Sequence, residues 1–108
     1  ESVLSIARTL TAMHDKPTAV VCFDDMIAVQ FIKAFQKLGV RVPDDISLVG
    51  FDDIEWVAFP LTSVSIPTYE AGKMLAEALF SRIMDTGAEY LQHTFKEKLM
   101  IRSSVKPL

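Results

Sequence analysis

The feature that most limits what this chain can become is a change of hydrophobic period, made twice in close succession. Thr18 to Phe23 is a short apolar and β-branched run without polar alternation, which predicts a strand buried on both faces of a parallel sheet. From Asp24 or Asp25, either of which can serve as N-cap, the residues Ile27, Ala28, Phe31, Ile32, Phe35 and Leu38 keep to one helical stripe until Gly39 ends it. A turn, Val42-Pro43-Asp44-Asp45, then leads into Ile46 to Phe51, again without alternation. Strand, helix and strand make a βαβ unit with a right-handed crossover and parallel strands, so both strands open their carboxyl ends on one edge of the sheet. Met26, Val29 and Ala34 widen the helical stripe beyond what one sheet covers, which predicts a second subunit or subdomain against it.

The flanking segments fit an α/β chain. Val3 to Met13 has helical spacing, is expected to be the remainder of a helix whose beginning is cut off, and breaks at His14-Asp15-Lys16-Pro17. After the irregular stretch Asp52 to Pro60, Leu61 to Ile66 alternates apolar and hydroxyl residues as a short strand does. Pro67-Thr68 opens another helix, with Thr68 as cap, Glu70 in the first turn, Ala71, Leu75, Ala78, Leu79 and Ile83 as the buried stripe, and Gly87 as stop. Leu91 to Phe95 and Leu99 to Ile101 read as two further strands.

Composition narrows the function classes. Half of the 108 residues are hydrophobic and 23% are charged, as in a packed domain rather than a disordered one. A formal charge of -3 argues against a phosphate-binding surface made by these residues. Cys22 is the single cysteine, so neither a disulfide framework nor a cysteine zinc site is expected, and it reads as a small buried thiol. No apolar run approaches the roughly 20 residues of a membrane span. Glu1 opens without a signal segment, so a cytoplasmic location is expected, and the lack of an initiating Met points to a longer protein.

Chemistry concentrates in a repeated pattern: one predicted strand ends in Phe23-Asp24-Asp25 and the other in Phe51-Asp52-Asp53. In open parallel sheets, ligands bind just beyond the carboxyl ends of strands. Adjacent carboxylates repel, and a ligand rich in hydroxyl groups can donate the hydrogen bonds that relieve them. The plainer reading makes each Asp a helix cap or turn former. An Mg2+-dependent phosphotransfer site is not expected, because no Lys stands at a third strand end and consecutive strand side chains point apart. His14 and His93 have no ligand-spaced partners, and no G-x-S-x-G turn is present. The expectation is therefore a domain that is not an enzyme, with no cofactor and no metal. Trp56, near Phe59, either stacks on a ligand, packs at an interface or simply covers an apolar loop.

The segments Pro17-Thr18-Ala19-Val20-Val21-Cys22, then Gly39-Val40-Arg41-Val42-Pro43-Asp44-Asp45-Ile46-Ser47-Leu48-Val49-Gly50-Phe51-Asp52-Asp53, then Pro60-Leu61-Thr62-Ser63-Val64 and Leu99 to Ser104 resemble the lac repressor/galactose repressor (LacI/GalR) family of bacterial regulators. The resemblance implies a three-layer, periplasmic-binding-protein-like (type I) core of parallel sheets, of which this chain would be an incomplete part, mainly the C-terminal subdomain. Residues 1–63 would belong to that subdomain, 64–98 would cross the hinge and add a helix and strand to the N-terminal subdomain, and 99–108 would return. The apolar face of the helix from Thr68 would be covered by the rest of the N-terminal subdomain.

The resemblance further implies a small, sugar-like effector bound by Asp24 and Asp52, with Phe23, Asp25, Trp56 and Ile66 as further effector or hinge candidates. It implies a homodimer or higher oligomer with Met26, Val29, Gln30 and Lys33 at the interface, and operator DNA held by a helix-turn-helix domain outside this chain. A solute-binding protein of the same architecture, serving transport or chemotaxis, is the alternative. The chain departs from the family pattern where Asp24 replaces the usual Asn, where Ile66 replaces a polar Gln, and in a shorter loop from Ile54 to Phe59.

Overall fold

A computed structural model describes residues 2–107. The elements follow in the order α1 (Val3–Ala12), β1 (Ala19–Val21), α2 (Asp25–Lys37), β2 (Ser47–Asp52), β3 (Thr62–Ser65), α3 (Thr68–Met84) and β4 (Lys98–Met100). The sheet order is β1-β2-β3-β4, and β1 with β2 and β2 with β3 are parallel, which is the α/β parallel-sheet class expected. The chain divides into two compact units, Ile66–Lys98 and the remainder.

In the larger unit, α2 starts where Asp24 accepts the Ile27 amide on Oδ1 at 2.7 Å. It ends at Leu38 and Gly39, whose φ of 70° suits a residue without Cβ. Its buried stripe, Ala28, Phe31, Ile32, Ala34 and Phe35, meets β2 on one side and α1 on the other. Cys22, Ile46, Leu48 and Leu61 complete the core. The wide stripe on α2 is thus partly explained within the chain, since α1 lies against it and Ala34 is buried. Ser2 caps α1 by accepting the Ser5 amide at 3.2 Å.

Burial of β1 on both faces does not hold. Val20 and Cys22 turn toward the helices, whereas Val21 and Phe23 on the other side are 76% and 84% exposed. Apolar runs record what a strand is suited to bury, and in this unit only the face of Cys22 and Leu48 carries helices.

The chain's last segment closes the amino end of the ladder. Ser104, fully buried, donates from Oγ to the Leu48 carbonyl at 2.6 Å and accepts the Thr62 amide at 2.7 Å. Its carbonyl accepts the Leu48 amide at 2.9 Å, and its own amide donates to the Pro60 carbonyl at 3.2 Å. One serine thereby satisfies strand groups where β2 and β3 have not yet begun to pair. Ahead of β2, the Arg41 guanidinium and backbone amide donate to Asp45 at 2.8–3.0 Å. These bonds hold the Asp45 carboxyl down to about 2, below its ordinary value.

The smaller unit corrects several expectations. Thr68 is the first helical residue and not the cap; Pro67 takes that position and supplies no side-chain bond. The helix stops at Met84 with Asp85 as its C-cap, before Gly87, whose amide donates to Asp85 at 2.9 Å. No residue of α3 is buried in this chain, and Leu75, Leu79 and Ile83 of its apolar stripe are exposed. Leu91 to Phe95 forms no strand; there His93 and Phe95 stack edge to face at 4.5 Å. Arg82 lies over the Tyr90 ring at 4.3 Å and also donates to the Ala88 carbonyl. Among the described residues, no helix is long and apolar enough to cross a membrane.

The Ser104 bonds make a direct prediction. Ser104→Ala strands the Thr62 amide and a Leu48 carbonyl lone pair in a dry interior, which costs about 1–3 kcal/mol. Urea unfolding that shows no loss would refute this account of the tail.

Candidate functional site

The parallel register of β1 and β2 matches Val21 with Val49, and the Cys22 amide donates to the Val49 carbonyl at 2.8 Å. Phe23-Asp24-Asp25 and Phe51-Asp52-Asp53 therefore emerge on one edge, from neighbouring strands. The four carboxyl groups there have four different surroundings.

Asp24 is the cap of α2: Oδ1 holds the Ile27 amide, and the side chain is half-buried. Asp25, one position on, is 1% exposed. Its Oδ1 accepts the Ser63 hydroxyl at 2.7 Å, and its Oδ2 accepts the Ile54 amide at 2.8 Å. The backbone turn between the two residues sends one carboxyl outward and the other beneath the sheet edge. Asp53 is paired with Arg102, Oδ1 to Nη2 at 2.7 Å, while Arg102 Nη1 donates to the Leu61 carbonyl at 2.7 Å. Asp52 is exposed and accepts no hydrogen bond from a side chain or amide among the described residues.

Asp52 and Asp53 both have positive φ, 95° and 51°. Such backbone is rare outside glycine and persists only where its surroundings hold it. Those surroundings are visible here: the Asp53 amide donates to Ser63 Oγ at 3.0 Å, and the next amide, Ile54, donates to Asp25. Gly50 belongs to the same assembly. A Cβ there would overlap Asp25 Oδ1 and stand 2.8 Å from Leu61 Cδ2, so this close approach needs glycine.

Of the other candidates, Phe23 is exposed at the end of β1. Trp56 is 77% exposed. Ile66 is half-buried and is the first residue of the smaller unit. On α2, Gln30 and Lys33 are exposed, Met26 is nearly half exposed and Val29 is half-buried. A cleft of about 300 Å3 lies under the loop after β2, with Asp25, Asp53, Val57, Phe59, Leu61 and Arg102 in its wall, and includes neither Asp24 nor Asp52. No group of three or more His, Cys, Asp or Glu side chains among the described residues is placed to hold a metal ion.

Sequence reasoning missed Ser63, Gly50 and Arg102. Ser63 and Gly50 had a local signal, a hydroxyl on an otherwise apolar strand and a glycine inside one. Arg102 meets Asp53 across a long stretch of chain and had none.

Residues 1–105 match the family described as periplasmic binding protein-like domain. The chain is 40% identical, over all of its length and 33% of the relative's, to the HTH-type transcriptional repressor PurR of Photobacterium profundum. It is 37% identical, over 98% of its length and 32% of the relative's, to the ribose operon repressor of Haemophilus influenzae. It thus spans about a third of the curated relatives it matches. A LacI family transcriptional regulator from Enterococcus faecium, solved with bound ribose, superposes with a TM-score of 0.88 at 26% identity, over 98% of this chain and 40% of that one.

Cys22 lies beside this edge, and burial first, then the charges of Asp24 and Asp25, push its thiol up to about 11 from an ordinary 9.0. The folded chain therefore keeps the thiol proton more tightly than the unfolded one. The resulting stability is complete below pH 9 and is lost as pH rises toward 11. A thiol that titrates near 11 instead of 9.0 has about 100-fold less thiolate at pH 8, so iodoacetamide should label Cys22 about 100-fold more slowly in folded than in unfolded protein. Equal labelling rates would contradict this.

Proposed function

The chain belongs to the periplasmic binding protein-like domain family, among the lac repressor/galactose repressor regulators, and from that membership we propose that it is the C-terminal part of the effector-sensing core of a cytoplasmic transcriptional repressor. The observation that carries this reading is the exposed Asp52 carboxyl, held on constrained backbone at a strand edge it shares with Asp24. The edge is rich in acceptors, and Arg102, which lines the cleft behind it, is occupied by Asp53 and Leu61. Such an edge suits a ligand that donates hydrogen bonds through several hydroxyl groups, as a sugar does. Relatives named for ribose, or solved with it, agree with that class.

In this reading residues 1–63 and 99–108 belong to one subdomain, and 64–98 carry the chain across the hinge to the other. The outward apolar faces, Val21 and Phe23 on β1 and Leu75, Leu79 and Ile83 on α3, are covered in the longer protein. Met26, Val29, Gln30 and Lys33 of α2 face a second copy in a dimer, and a helix-turn-helix domain elsewhere holds the operator. The domain performs no catalysis. Its effector acts by its differential affinity for the DNA-competent and DNA-incompetent states, a coupling of about 1 to 3 kcal/mol.

Thermal-shift screening of the full-length protein against sugars, sugar phosphates and nucleobases tests the class, because a ligand at 100 times its Kd adds about 2.7 kcal/mol. With the sugar so found, Asp52→Ala should weaken binding by about 1 kcal/mol or more while leaving the fold intact. Unchanged affinity by calorimetry would remove Asp52 from the site. Asp24→Asn keeps an equally good cap and removes only the charge, so it should alter ligand preference while leaving stability within about 0.5 kcal/mol. An identical ligand ranking would mean that Asp24 is a cap alone.

A further inference from the structure

We propose that Asp25 is the positioning residue of this edge: through Ile54 and Ser63 it fixes the backbone that presents Asp52. The inference rests on the effector reading, but its structural half can be tested without it. Asp25 is 1% exposed, and each of its carboxyl oxygens accepts a hydrogen bond from within the chain. What it grips is the stretch directly after Asp52. Ile54 bonds to Oδ2, and the Asp53 amide bonds to the Ser63 hydroxyl that donates to Oδ1.

Two consecutive amides that follow a positive-φ residue are thus tied to one carboxyl group, directly and through a single hydroxyl. Ser63 Oγ is the hinge of this relay, accepting from one side and donating to the other. The Cβ-free Gly50 lets Asp25 come close enough to β2 to do this. From the outer side, Arg102 holds the Asp53 carboxylate. With the amides of positions 53 and 54 tied on one side and the β2–β3 pairing of Phe51 and Asp52 on the other, the backbone at Asp52 is held between them, and its side chain is left facing solvent with no partner of its own among the described residues.

The test uses Ser63→Ala and the conservative Ser63→Thr in the full-length protein, with D-ribose as probe. In Ser63→Ala, hydrogen exchange at the Asp53 and Ile54 amides should accelerate at least about 10-fold more than it does at the α2 amides. D-ribose affinity should fall at least about 5-fold at a temperature where the variant's melting curve shows it still folded, and Ser63→Thr should restore both. Unchanged exchange in the loop, or an equal loss of protection throughout α2, would overturn the positioning role. So would a loosened loop that binds D-ribose as tightly as before. A wild-type protein that takes up no D-ribose counts against the sugar reading alone, and the exchange at 53 and 54 still decides whether Asp25 and Ser63 hold the loop.

Discussion

The larger unit depends on one buried polar contact, the Asp25 carboxyl with its two donors. Burying a carboxyl group is unfavourable by several kcal/mol unless its hydrogen bonds are replaced, and here each oxygen receives one donor. The donors come from β3 and from the loop after β2, while the acceptor comes from the first turn of α2. A third constraint, the absence of a side chain at Gly50, comes from β2 itself. Apolar packing of Phe35, Leu48 and Leu61 brings these elements together, but it is tolerant of small slides between them. The directional bonds of Asp25 remove that tolerance at the end of the sheet where the candidate site stands.

The opposite end of the sheet is secured by similar means. Ser104 occupies the space between the starts of β2 and β3 and bonds both, so the last segment of the chain acts as part of the ladder. Arg102, two residues earlier, crosses to Thr62, Leu61 and Asp53. Tail, β3 and the loop after β2 therefore form one connected polar network along a sheet whose other contacts are apolar. A disturbance at Asp53 would be felt at both Ser63 and Arg102.

The βαβ unit and the shared edge were legible because both are local. A switch from continuous apolar runs to a 3.6-residue stripe marks them within Thr18 to Phe51, and parallel pairing follows from the connection. Which Asp of each pair turns inward was not legible, because that depends on the N-terminal turn of α2 and on a serine 38 positions away. Periodicity also reported surfaces suited to burial, at Val21 and along α3, that are exposed in this chain. The strand expected at Leu91 to Phe95 failed for a related reason. Its residues have β propensity, but no neighbour among the described residues offers a ladder, and propensity without cross-strand partners does not hold a strand.

The backbone at Asp52 and Asp53 shows how these constraints combine. A non-glycine residue with positive φ costs on the order of 1–3 kcal/mol, and two in succession approach what a single ordinary hydrogen bond could not offset. The segment is held by more than one: the two amides are gripped from inside by Ser63 and Asp25, and the Asp53 carboxylate is held outside by Arg102. None of these contacts uses the Asp52 carboxyl. Strain that is fully supported by neighbours, around a polar group that supports nothing, is the pattern expected when a side chain is held ready for something outside the fold. Glycine at position 52 would relax the backbone at no cost to these contacts, so the fold alone gives no reason for an aspartate there.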